Sequence, residues 1–96
     1  MSSRDVEQTL LSRCAAAARG ELARATDQRE ANVFRLASMV LRPRMPSEAE
    51  RLLTVSESYF SQHPTDLVAS GDVVRNGWVL SVPRLRDMLT MRLRHA

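Results

Sequence analysis

The side chains best suited to chemistry are few in this chain: two histidines, His63 and His95, and a single cysteine, Cys14. His63 stands directly before Pro64, and His95 is the penultimate residue. Neither has a second ligand at metal-site spacing or a nucleophile at the distance a general base needs. Asp66 and Asp72 flank a turn, where carboxylates serve as caps more often than as acids in a mechanism. No phosphate-cradling glycine loop and no Cys-x-x-Cys pair occurs. The residues therefore point away from an enzyme and away from a metal or cofactor. One thiol cannot close an intrachain disulfide, and Cys14 falls among apolar neighbours, where a small buried thiol packs well.

The arginines offer a different chemistry, the recognition of anions. All fourteen basic residues are arginine, set against eleven acids for a net charge of +3. The absence of lysine and isoleucine points to a GC-rich genome, so part of this enrichment is a codon effect. Arg13, Arg24 and Arg35 recur at eleven-residue spacing and read as a solvated face. Only the carboxy-terminal stretch is locally basic, with Arg84, Arg86, Arg92 and Arg94 against Asp87. Together with Arg75, these are the residues that would meet phosphates if nucleic acid were the partner. Tyr59 and Trp78 lack the interleaved basic run of a base-stacking surface and read as core or interface anchors.

The elements that must position these groups begin with the stretch from Arg4 to Arg42, which holds one glycine and no proline. Leu11, Leu22 and Val33 form one apolar column, Cys14, Ala25 and Leu36 a second, and Ala18 and Val40 a third, interrupted by Arg29. An eleven-residue repeat is about 3.67 residues per turn and keeps these columns on one face of a nearly straight helix. Such a helix over 4–42 would be about 58 Å long at about 1.5 Å per residue, whereas a compact chain of this length has a radius of gyration of about 12–13 Å. Its stripe would need a partner, through Leu11, Cys14, Ala18, Leu22, Ala25, Val33, Leu36 and Val40. The small first half, Cys14 to Ala18, would admit close helix pairing. The rival reading is a helical hairpin: Thr26-Asp27-Gln28-Arg29-Glu30 is polar on every side, Asp27 and Glu30 have capping-box spacing, and Gly20 costs about 1 kcal/mol within a helix. Phase continuity across the polar patch favours the single helix. Ser2 and Asp5 make a capping-box-like start.

Pro43 and Pro46 end the first element and make residues 43–46 a stiff linker. Ser47 and Glu50 have capping-box spacing, and Ala49, Leu52, Leu53, Ser56 and Phe60 share one face of a second helix over 47–62, stopped by His63-Pro64. Thr65 to Ser70 reads as a helical turn closed by Gly71. In Val73-Val74-Arg75-Asn76-Gly77-Trp78-Val79-Leu80, an Asn-Gly pair between apolar runs is a hairpin signal, with a plain loop as the alternative. Ser81 as cap and Pro83 in the first turn then open a last helix over 83–95. Residues 67–80 look like the end of a winged-helix domain, in which a recognition helix passes through a glycine into a two-stranded wing. Pro64 leaves room here for only about one and a half turns before Gly71, and the wing would carry only Arg75.

The chain thus reads as one small, mainly α domain over residues 1–96, assembling as a helical homodimer or docking on another protein. No run approaches the roughly 20 apolar residues of a membrane span, and the amino terminus lacks the pattern of a signal peptide, so a cytoplasmic, bacterial setting is expected. Two functions follow from these features. The first is a non-enzymatic protein-binding regulator or chaperone-like adaptor. The second is a dimeric DNA-binding transcriptional regulator using the arginines named above.

Overall fold

The computed structural model describes residues 3–95, with side chains from Asp5 onward; the cap expected at Ser2 lies outside them. Five α-helices follow in order: α1 (Ser3–Ala18), α2 (Gln28–Leu41), α3 (Pro46–Gln62), α4 (Ser70–Arg75) and α5 (Val82–Arg94). A 3₁₀ turn, Pro64–Asp66, lies between α3 and α4, and the described residues include no strand. The radius of gyration is 12.1 Å and the longest dimension 35 Å.

The single helix over 4–42 is not what forms. The chain breaks after Ala18, and Gly20 adopts φ +80°. The Gly20 N–H donates to the Ala17 carbonyl at 3.1 Å and the Glu21 N–H to the Ala16 carbonyl at 2.8 Å. This is the paired 5→2 and 6→1 pattern of a Schellman cap, which satisfies carbonyls that the helix end would otherwise orphan. Seven residues after Gly20 the chain re-enters a helix through Asp27, whose extended backbone (φ −156°) and side chain accepting from the Glu30 N–H make it an N-cap. The polar patch from Thr26 to Glu30 is therefore the end of a loop, the N-cap Asp27 and the first turn of α2.

The two halves fold back on one core. α2 packs against α1, α3, α4 and α5, and is buried over most of its circumference, from Glu30 to Leu41. α2 and α3 form an antiparallel hairpin around Phe34, Leu41 and Leu52, all fully enclosed. α1 and α5 run in the same direction, since Glu7 meets Arg84 near both starts and Arg19 meets the Arg92 carbonyl near both ends. Leu11, Cys14, Ala18, Val33 and Leu36 all lie within this core. The surface that a straight helix would have required from a partner is supplied by the chain itself.

Three further expectations are corrected. The Ser47–Glu50 capping box does not form: α3 starts at Pro46, with no side-chain cap at Met45, because proline presets helical φ at N1 and has no N–H to satisfy. Gly71 lies inside α4 rather than ending a turn. The Asn76-Gly77 hairpin is absent; Asn76 keeps helical backbone (φ −76°), and Gly77, at φ +76°, repeats the cap of Gly20. Its N–H donates to the Val74 carbonyl at 2.9 Å and the Trp78 N–H to the Val73 carbonyl at 3.1 Å. Ser81 does cap α5, accepting from the Arg84 N–H at 3.2 Å.

Candidate protein-docking site

A trough of about 680 Å³ lies between the end of α1 and one face of α3. Ala17 comes from the end of α1, Gly20 from the break that follows it, Leu22 from the loop, and Ser47, Glu50, Arg51, Thr54 and Val55 from α3. The α3 positions recur at three- and four-residue intervals and so form one continuous strip of the helix. Pro46 closes one end. At the other, Val55 is shared with a polar recess of about 250 Å³ formed by Arg24, Ala25, Thr26, Ser58, Tyr59, Gln62 and His63.

Local chemistry holds the walls in place. Arg51 reaches across the trough and donates to the Ala18 carbonyl at 3.1 Å, so a cation on α3 caps the negative end of the α1 dipole. On the loop side, Glu30 is buried and accepts from the Thr26 N–H at 3.0 Å and from Arg13 Nε. That one carboxylate ties the loop, α1 and the start of α2 together. Beyond the recess, buried Asn32 donates to the Gln28 carbonyl at 2.8 Å and to the Asp66 carbonyl at 3.0 Å, and accepts from the Val68 N–H at 3.1 Å. These bonds pin residues 66–68 to α2.

Tyr59 donates to Asp66 Oδ2 at 2.7 Å and stacks on His63 at 4.5 Å. The hydrogen bond to Asp66, aided by burial and by the charges of Asp66 and Asp27, pushes its phenol up to about 12. Burial, reinforced by the nearby Glu30 charge, pushes the Cys14 thiol far above its ordinary value, which leaves it a packing residue without a thiolate to react. Among the described residues, no group of three His, Cys, Asp or Glu side chains is placed to hold a metal ion.

The stripe residues named from the sequence are divided by the fold. Leu11, Cys14, Ala18, Val33 and Leu36 are core. Leu22, Ala25 and Val40 are partly exposed against it, and of these Leu22 lines the trough and Ala25 the adjoining recess. The arginines do not form one patch. Arg75 is paired with Asp72 at 2.8 Å, Arg84 with Glu7 at 2.7 Å and Arg86 with Asp87 at 3.0 Å. The hydrogen bond and charge of Glu7 raise Arg84 further above its ordinary value. Arg92 donates to Ser12 and Gln8 on α1, and Arg94 is exposed.

Comparisons with family models, curated proteins and solved structures return no match. No helix among the described residues is long and apolar enough to cross a membrane. The α3 strip was not singled out from the sequence, although Glu50 and Thr54 fall on the side of that helix opposite its apolar face. Its significance depends on the loop folding over it, and that follows from the break at Gly20.

Proposed function

We propose that the chain is a non-enzymatic protein-binding regulator or adaptor that receives a helix of its partner in the trough along α3. The observation that carries this reading is the trough itself: a strip of α3 on which Ser47, Glu50, Arg51 and Thr54 are exposed, bordered by Leu22 and the end of α1, with buried Val55 at its base. An incoming amphipathic helix presents anchors at i, i+3 and i+4, and a groove beside a single helix is the complementary shape. The partner is another protein of a bacterial cytoplasm or a second copy of the chain. Nucleic acid has less support, because three of the five arginines named for it already hold carboxylates.

The test places a photo-crosslinking residue at exposed Thr54 in the native host, with a second placed at exposed Arg44 for comparison. A discrete protein captured at 54 but not at 44, and lost when Leu22→Arg fills the trough, is the expected result. Equal capture at both positions would remove the reading. A dimer by light scattering that Leu22→Arg dissociates would assign the trough to a second copy.

A further inference from the structure

A second concavity lies on the other side of α1, where that helix meets α5. It holds about 520 Å³ between Ser12, Ala15 and Arg19 on one side and Met91, Arg92 and His95 on the other. Ala15 and Ala17 are two residues apart, about 200° around the helix, so this recess and the trough do not communicate across α1.

Two guanidinium groups border it, and neither holds a carboxylate. Arg19 donates to the Arg92 carbonyl at 2.9 Å. Arg92 donates to Ser12 Oγ at 3.0 Å and to Gln8 Oε1. All of these acceptors are neutral, and each guanidinium carries five N–H donors in a planar fork, so donors on both remain for an anion. Two carboxylates on neighbouring turns are engaged elsewhere: Asp87, one turn before Met91, by Arg86, and Glu7, next to Gln8, by Arg84. Glu21, two residues beyond Arg19, is exposed and forms no ion pair with it. The first half of α5 is thus neutralised and its end is not.

Between the cations the surface is apolar. Met91 is 58% exposed and Ala15 beside it is buried, so the apolar contact is the methionine, a flexible, polarisable side chain that adapts to a partner. We infer that this recess docks an acidic amphipathic helix of a partner protein, with carboxylates on Arg19 and Arg92 and an apolar side chain on Met91. Arginine forks bind carboxylates bidentately, and this combination of apolar floor and cationic rim selects such a helix over a phosphate backbone, which has nothing to place on Met91.

The test uses the full chain and three labelled probes in fluorescence anisotropy. The first is an amphipathic peptide of leucine, alanine and glutamate, about 20 residues long so that it can be helical; the second is the same peptide with glutamine for glutamate; the third is a duplex DNA. The acidic peptide is expected to bind at least about tenfold more tightly than its glutamine analogue, and to weaken as salt rises. Arg19→Glu and Met91→Glu, both at exposed positions, are each expected to reduce binding about tenfold or more. Arg44→Glu, in the turn between α2 and α3, and Leu22→Arg, in the trough, are expected to leave it within about twofold. The Leu22 variant also separates this site from the proposed function of the trough. Equal affinity for the two peptides, no binding of either, or tighter Arg19-dependent binding of DNA would each overturn the inference. Should Arg19→Glu perturb the fold by circular dichroism, Met91→Glu alone decides.

Discussion

Two helices in this protein, α1 and α4, end in the same way and lead to unlike connections. Gly20 and Gly77 both sit in the left-handed region, and the residue after each donates back to the third residue from its helix end. After Gly20 comes exposed Glu21, and the loop touches the core only through Leu22 and Ala25 until Glu30 gathers it through Thr26 and Arg13. After Gly77 comes Trp78, which packs at once on the core that contains Val73, giving the apolar contact that accompanies many Schellman ends. One connection is held by a buried carboxylate, the other by an indole. An identical backbone device can thus be stabilised by opposite chemistry, and the fold around it decides which.

The largest effect is expected at the polar connection. Glu30→Ala leaves Arg13 and the Thr26 N–H without their acceptor, and breaking a buried pair from one side costs about 3–5 kcal/mol. Arg13 is 31% exposed, which places the loss near the lower end, about 3 kcal/mol. Urea denaturation measures it directly. Replacing both partners, Arg13→Met with Glu30→Met, should cost less than the single change, because no orphaned cation remains. A double variant as unstable as Glu30→Ala would show that the clamp acts through packing instead.

The apolar connection should lose less. Trp78 is half-buried, so Trp78→Ala is expected to cost about 2 kcal/mol, below the 3–5 kcal/mol of a fully enclosed tryptophan. Circular dichroism follows the unfolding, since Trp78 is the only tryptophan. A loss equal to that of Glu30→Ala would erase the proposed distinction between the two connections.

Glycine substitutions examine what the connections share. Gly20→Ala and Gly77→Ala should each destabilise by about 1–2 kcal/mol, the cost of left-handed backbone for a residue with a Cβ. Sterics add little: a Cβ at Gly20 would meet Arg51 Cδ at 3.6 Å, and one at Gly77 would meet nothing within 4 Å. Gly71, inside α4 and in open space, should respond in the opposite direction, gaining about 0.5–1 kcal/mol as alanine. Were α1 continuous through Gly20, Gly20→Ala would stabilise by a similar amount, so the sign alone distinguishes the two structures.

These signs also show what the sequence could convey. The end of α3 at His63-Pro64 and the start of α5 at Ser81 are written in local chemistry, since proline and serine act through their own backbone and side chain. The break at Gly20 was visible as a glycine, a polar run and an Asp27-to-Glu30 spacing, but the unbroken phase of Leu11, Leu22 and Val33 argued against it. The phase has another cause. α1 and α2 turn their apolar faces to one core, and Leu22 packs against it from the loop, so the columns record a shared interior and not a shared axis. The trough was illegible for the same reason: its α3 wall is polar in sequence, and only the folded loop makes it concave. The pairing of Glu7 with Arg84, and of Arg92 with Gln8 and Ser12, spans nearly the whole chain and has no periodic trace.

The smallest expected effect is the sharpest test of the second connection. Asn-Gly favours a type I′ hairpin because both of its central residues take positive φ, and asparagine tolerates that region better than residues whose side chains cannot bond locally. Here Asn76 is right-handed, its N–H donating to the Asp72 carbonyl at 2.8 Å as the last step of α4, and only Gly77 crosses to positive φ. Alanine is a better residue than asparagine in helical backbone, by a few tenths of a kcal/mol. Asn76→Ala should therefore leave stability within about 0.5 kcal/mol of the parent and tilt it toward a gain. A hairpin would make the same substitution cost about 1 kcal/mol or more, by forcing alanine into left-handed backbone. Paired with Gly77→Ala, which costs stability in either structure, Asn76→Ala isolates the one residue at which a helix end and a hairpin turn make opposite demands.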